Sequence, residues 1–221
     1  MHITISKLKP VVLLFAILAG LSLNCTKAYA GKTETLVVAG GCFWCVESDF
    51  ERVNGVIKAV SGYTGGTTKN PTYKQVSRGG TGHYEAVEIT YDSGKISYAA
   101  LLKLFMRSID PTDAGGQFCD RGESYRTAVF VSTKAEEAAA KAAITDAKRK
   151  LGRKIATRIL PASRFYRAES RHQNYYRGNK MVLTRFGAKR QSAAYRAYRK
   201  ACGRDARVRQ LWGNQAVFAK H

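Results

Sequence analysis

Residues 34–45 read ETLVVAGGCFWC, and this stretch sets both the fold and the chemistry. Glu34 to Ala39 carries the apolar, β-branched pattern of a buried strand and ends at Gly40-Gly41. From Cys42 or Phe43 onward, Val46, Phe50 and Val53 recur at helical spacing until Asn54-Gly55, so a strand is predicted to hand over directly to a helix. Backbone N–H groups at a helix N-terminus have no intrahelical partner and favour negative charge. A thiolate at Cys42 is therefore expected to be stabilised and its pKa lowered. The preceding glycines let backbone come close to a ligand, and Phe43 and Trp44 offer an apolar wall for a small group such as a methyl. Ordinary core packing is the competing reading of the two aromatics.

Working outward, Val56 to Tyr63 reads as a second strand, and Thr64 to Gly82, rich in Gly, Thr, Asn and Pro, as a long loop. Such loops inside compact domains are usually functional. Tyr84 to Tyr91 alternates as a third strand. Ser97 is expected to cap a helix through Leu101, Leu102, Leu104 and Phe105 that stops before Pro111. A loop over Thr112 to Ser124 leads into a strand from Tyr125 to Val131. Thr133 and Glu136 form a capping box for an alanine-rich helix to about Leu151, and Ile155 to Leu160 is a last strand. Strand-helix-strand twice over predicts an α+β fold, a ferredoxin-like split βαβ core with a mixed sheet and helices. Beyond Pro161 the sequence is aromatic and basic with little regular signal, so residues 161–221 are expected to form a long irregular tail wrapping the sheet.

The first thirty residues do not read as fold. Lys7 and Lys9 precede an apolar run from Val11 to Leu23, and Ala28-Tyr29-Ala30 gives a small-x-small cleavage pattern. The run is short for a membrane span, which needs roughly 20 apolar residues. Residues 1–30 are thus expected to be a signal peptide, cleaved after Ala30 or kept as an anchor. Lipidation at Cys25 is a less favoured alternative because Asn24 precedes it. The expected location is exported and periplasmic. Residues 31–221 then form a single catalytic domain of 191 residues, enough for an ordinary core.

The formal charge of +21 falls to +18 without residues 1–30, which hold three lysines and no acid. Such a balance suits nucleic acid, an anionic membrane surface or acidic protein partners, and export argues against nucleic acid. The basic residues crowded between Arg185 and Arg209 read best as a solvated face on the tail. With Cys25 set aside, Cys42, Cys45, Cys119 and Cys202 remain. In an exported chain an even number suggests structural disulfides, but a domain this long does not need them, and reactive thiols weigh equally.

Glu85 shares a strand face with the apolar Val87 and Ile89. A carboxyl turned toward a core holds its proton near neutrality and can act as a general acid; pairing with an arginine is the competing reading. Tyr73 in the long loop and Tyr125, near Asp120, bring phenolic hydroxyls able to donate to a developing oxyanion.

Taken together, Gly41-Cys42-Phe43-Trp44, Asn70-Pro71-Thr72-Tyr73, Gly82-His83-Tyr84-Glu85-Ala86-Val87, Tyr125-Arg126 and Phe165-Tyr166…His172-Gln173-Asn174-Tyr175-Tyr176 resemble the A class of peptide methionine sulfoxide reductases, in an exported form with a GCFWC motif. The blocks run in order over most of residues 34–180. The resemblance implies reduction of the S epimer of methionine sulfoxide, free or in proteins, with Cys42 attacking sulfur and Glu85, Tyr73 and Tyr125 protonating oxygen. Phe43 and Trp44 would hold the methyl group and Asp120 would help fix the site. Cys42 is left as a sulfenic acid, and a resolving cysteine closes a disulfide that an external dithiol such as thioredoxin reduces. No metal or organic cofactor is implied.

Two departures stand out. Phe118-Cys119-Asp120-Arg121-Gly122-Glu123-Ser124 replaces the usual Gly-Asn-Asp or Gly-Pro-Asp stretch, with Ser124 in place of a common glutamine. The resolving thiol is ambiguous: Cys202 on the tail is preferred, then Cys45 as a CxxC partner, with Cys119 beside a suspected site residue also open. Two rivals follow from the residues alone. One is a thioredoxin-like disulfide oxidoreductase, from CxxC at a strand-to-helix turn. The other, a basic binding module around zinc, lacks a second close cysteine pair.

Overall fold

A computed structural model describes residues 31–219 of the protein. The expected signal segment, with Cys25, lies outside the described residues. Six strands form one sheet, β1 (Thr33–Gly40), β2 (Val56–Thr64), β3 (Tyr84–Asp92), β6 (Thr127–Val131), β7 (Arg158–Pro161) and β8 (Tyr166–Arg167), in the order β7-β6-β1-β3-β2-β8. The inner order β6-β1-β3-β2 is all antiparallel and is the ferredoxin-like arrangement expected from the sequence. β7 adds parallel to β6, which makes the sheet mixed. β1 lies at its centre because both faces of its apolar run can be covered: Leu36 and Val38 belong to the main core, and Ala39 to a second cluster with Tyr84, Ala86, Ala128 and Phe130.

The main core is completed by α1 (Phe43–Phe50), α3 (Tyr98–Met106) and α4 (Lys134–Leu151), which contribute Val46, Phe50, Leu101, Phe105 and Ala140. Ser97 Oγ accepts from Ala100 N at 3.2 Å, and Thr133 Oγ1 from Glu136 N at 3.1 Å, so the caps form where expected. The Glu136 carboxylate reaches Ser132 N instead of the backbone of Thr133.

Several expectations are corrected. The loop over 64–82 contains α2 (Tyr73–Arg78), held by a complete capping box between Thr72 and Gln75. The loop over 112–124 contains the small hairpin β4 (Gly116–Gln117) and β5 (Asp120–Arg121), and Tyr125 closes a 3₁₀ turn two residues ahead of β6. The tail is not irregular. It carries the hairpin β9 (Met181–Thr184) and β10 (Gly187–Arg190) and two helices, α5 (Gln191–Ala201) and α6 (Arg204–Trp212).

Nor is its basic run wholly a solvated face. Arg199 is buried and binds Asp49 of α1 at 2.8 Å and Asp205 at 2.7 Å. Arg204, among the largest fully buried side chains, donates to the carbonyls of Gly40 and Ser108 at 3.2 and 2.9 Å. Arg204 thus ties the tail to Gly40 at the strand-to-helix turn, and Arg199, a buried charge paired with two carboxylates, ties it to α1.

Candidate active site

Gly41 has φ +76°, and a Cβ there would stand 2.5 Å from the side chain of Gln117. The close approach at this turn is thus to β4, and not to a ligand as the sequence suggested. The turn delivers Cys42 to the N-cap of α1. The first free amide, Phe43 N, donates to Glu85 Oε2 at 3.1 Å. The acceptor at the helix tip is therefore the Glu85 carboxyl, presented by β3 opposite Tyr63 of β2.

Cys42, Phe43, Trp44, Tyr73, Glu85, Asp120 and Tyr125 all line one small pocket of about 50 Å³. Every catalytic and substrate-binding residue expected from the sequence is in that set. Tyr198 of α5 also lines it, and its hydroxyl donates to Asp120 Oδ2. Around the wall, the ring of Trp44 stacks on Tyr175 with centroids 3.9 Å apart, and His172 packs on Tyr73 at 4.4 Å and Phe43 at 5.4 Å. The buried indole N–H of Trp44 has no hydrogen-bond partner among the described residues. Glu169 accepts from Tyr63 Oη at 2.9 Å and from Tyr73 N at 3.0 Å, which anchors the start of α2.

Sequence reasoning missed Tyr198, His172 and Tyr175 as pocket elements. The signal for Tyr198 was present: Gln191, Ala194, Tyr195, Tyr198 and Cys202 repeat at helical spacing, and several of them are buried. Gln173, in the same block as His172, clamps the edge of the sheet, bonding both backbone groups of Ser61 and the carbonyl of Ala168.

Burial raises the Glu85 carboxyl to about 8, against the pull of the Phe43 amide, so it carries its proton at neutral pH as the sequence suggested. Burial likewise raises Tyr73 and Tyr125, with Glu85 adding to both, and they stay protonated donors. Burial brings His172 down to about 4, leaving it a neutral ring. The expected lowering at Cys42 is corrected. Burial pushes that thiol well up, and Cys45, Glu85 and Asp120 add to the effect. Cys45, hydrogen-bonded to Cys42 and aided by Arg204 and Arg199, comes down to about 7 instead. Cys42 thus holds a proton, chiefly because it is buried.

Of the four cysteines among the described residues, Cys42 and Cys45 are free and buried. Cys119 and Cys202 are bonded to each other, 83 residues apart in sequence. The ambiguous thiols thus sort into two pairs. Asp120 follows Cys119 in the chain, and Tyr198 precedes Cys202 by one helical turn, so the bonded pair borders the pocket through both neighbours. Cys119, Asp120 and Cys202 crowd their ligand atoms within 4.8 Å, but two of the three are sulfurs already joined to each other.

The family model described as peptide methionine sulfoxide reductase matches residues 34–214. The chain is 50% identical over 203 residues to the peptide methionine sulfoxide reductase MsrA 2 of Caulobacter vibrioides, covering 92% of this chain and 97% of that protein. It is 43% identical to the peptide methionine sulfoxide reductase MsrA of Bacillus subtilis, covering 82% and 97%. Among solved structures it is similar to methionine sulfoxide reductase A of Corynebacterium diphtheriae, with a TM-score of 0.63 at 32% identity over 68% of this chain and 76% of that one. It is also similar to reduced Mxr1 of Saccharomyces cerevisiae, with a TM-score of 0.62 at 31% identity over 65% and 84%.

Proposed function

Because the chain belongs to the peptide methionine sulfoxide reductase family, we propose that it returns the S epimer of methionine sulfoxide, free or in oxidised proteins, to methionine through Cys42. One observation carries this reading: a thiol, a protonated carboxyl, two tyrosine hydroxyls and an aromatic wall meet in a pocket of about 50 Å³.

Glu85 hydrogen-bonds and protonates the sulfoxide oxygen, with Tyr73 and Tyr125 sharing the developing charge. Phe43 and Trp44 take the methyl group, and the unpartnered Trp44 N–H supplies a donor for an acceptor on the substrate. Protonating the oxygen makes the substrate sulfur electrophilic, which draws the Cys42 sulfur onto it as the thiol proton leaves. The oxygen passes from one sulfur to the other: the sulfoxide is reduced by two electrons to methionine, and Cys42 is oxidised by two to a sulfenic acid. Asp120, fixed by Tyr198, steadies the rim.

Cys202 then attacks the sulfenic sulfur, releasing water and forming a Cys42–Cys202 disulfide. Cys119 attacks that bond, freeing the Cys42 thiol and closing Cys119–Cys202. The pairing in the structure, with Cys42 and Cys45 as thiols and Cys119 bonded to Cys202, corresponds to the end of this sequence. An external dithiol of the thioredoxin type restores the starting state, and no metal or organic cofactor takes part. Residues 1–30 serve export to the periplasm, whether removed or kept as an anchor, and 31–221 act as one catalytic domain. The alternative of a general disulfide oxidoreductase is not favoured, since it has no use for Glu85.

Separated S and R epimers offered to the protein with dithiothreitol test the reading. Methionine should form from the S epimer alone, and a Cys42→Ser variant should form none. Turnover of neither epimer by the parent would sink it.

A further inference from the structure

A basic groove of about 480 Å³ lies between α5 and α6, separate from the Cys42 pocket. Arg52, Arg196, Lys200 and Arg209 line it, with Tyr176 and Tyr195 as an aromatic floor. Arg199 also borders it, but its charge is already committed to Asp49 and Asp205. Arg196 and Lys200 are exposed and make no ion pair among the described residues. Lys200 and Gly203 sit on the groove wall, and Cys202 lies between them in the chain. A cationic recess with an aromatic floor therefore ends beside a disulfide whose Cys119 side is exposed.

We infer that this groove is the docking surface for the protein dithiol that reduces Cys119–Cys202, and that it recognises that partner by an acidic surface around its thiols. Charge complementarity is the ground: the exposed Arg196 and Lys200 of the wall suit carboxylates, and rim charges of this kind govern encounter with a partner. Position is the second ground, since a protein held on Lys200 and Gly203 has its thiols next to Cys202. The exchange balances without further reagents. A partner thiolate attacks the exposed Cys119 sulfur, breaking the Cys119–Cys202 bond and releasing Cys202 as a thiolate. The second partner thiol then attacks its own sulfur in the mixed disulfide and releases Cys119. Two protons and two electrons pass to the pair, and the partner leaves as a disulfide.

The inference rests on the proposed reaction ending at Cys119–Cys202, so the test reads that bond directly. The purified protein in its Cys119–Cys202 form is mixed with an acidic thioredoxin, without sulfoxide, and the second-order reduction rate is followed against salt. Charge reversal in Arg196→Glu/Lys200→Glu is expected to slow this rate about tenfold or more at low salt and to flatten its salt dependence. Reduction of the same bond by dithiothreitol, which is small and uncharged, should be unchanged. An unaltered thioredoxin rate and salt slope in the variant would overturn the inference. So would loss of binding to phosphatidylglycerol vesicles in the variant with the thioredoxin rate intact, which would assign the groove to a lipid surface. Sulfoxide turnover with dithiothreitol, measured alongside, reports on the proposed reaction itself and fails independently.

Discussion

The described residues hold two cysteine pairs in contrasting settings. Cys42 and Cys45 lie within one turn of α1, buried, hydrogen-bonded to each other and enclosed by the aromatic wall. Cys119 and Cys202 lie 83 residues apart, joined, with Cys119 exposed on a small hairpin and Cys202 at the end of α5 beside a cationic groove. The inner pair is dry and faces carboxyl groups, a setting for a small uncharged substrate and for proton control. The outer pair meets solvent, a setting for exchange with another protein. Substrate chemistry and reductant chemistry both need sulfur, but they need opposite solvation, and the fold supplies each from a different part of the chain.

Removing Cys42 should have the largest effect. Cys42→Ser is expected to lower S-sulfoxide reduction by at least about 10³-fold, because the nucleophile itself is lost. Chromatographic measurement of methionine formed per enzyme checks it, and substantial residual turnover would move the chemistry to another sulfur.

Next comes the acid. Glu85→Gln should cost about 10²-fold or more in kcat/KM. In the parent, kcat/KM should fall as pH rises through about 8, where the Glu85 carboxyl loses the proton it donates. The variant should lack that alkaline limb. The same raised pKa means that the stabilising contribution of the neutral carboxyl is complete below the ordinary value of 4.5 and is lost as pH climbs through about 8.

Smaller again is the outer pair. Cys202→Ser should spare a single burst of one methionine per enzyme while slowing steady turnover with a protein dithiol roughly tenfold or more. Peptide mapping after that burst sharpens the contrast between the pairs: a Cys42–Cys45 bond in the parent would show that the inner pair resolves itself. Smallest is Tyr198→Phe, which deletes one hydrogen bond to Asp120 and should lower kcat/KM a few-fold, in keeping with about 1 kcal/mol. An unchanged rate would make that bond purely architectural.

Most of the first pair's surroundings were legible from sequence. The runs at 34–39, 56–63 and 84–91 declare strands, Ser97 and Thr133 declare helix starts, and Glu85 beside Val87 and Ile89 declares a buried acid. Both faces of β3 are covered, so alternation alone overstated how distinct its two sides are. The electrostatics of Cys42 were misjudged because the helix tip was credited to the sulfur, whereas the Phe43 amide is taken by Glu85. The second pair's surroundings were not legible. The inward stripe of α5 includes Gln191 and Arg199, which read as polar, yet both are buried because Asp49, 150 residues away, answers Arg199 and the Arg171 carbonyl, 20 residues away, answers Gln191. Helix α2 was hidden by its shortness, although the Thr72–Gln75 capping box was there to be read.

The buried acids of α1 make the last third of the chain indispensable. Asp49 is answered by Arg199, and Glu47 by the amide of Asn174, all from residues beyond 170. A shortened protein ending after β8 would keep Cys42, Glu85 and both tyrosines but leave Asp49 on the site helix without its Arg199 partner and Glu47 with the Ser61 hydroxyl alone. Removing one partner of a buried ion pair costs about 3–5 kcal/mol, a large fraction of the stability of an ordinary domain. No minimal catalyst can therefore be cut from the residues that touch the substrate, because the helix presenting the thiol owes its footing to the end of the chain.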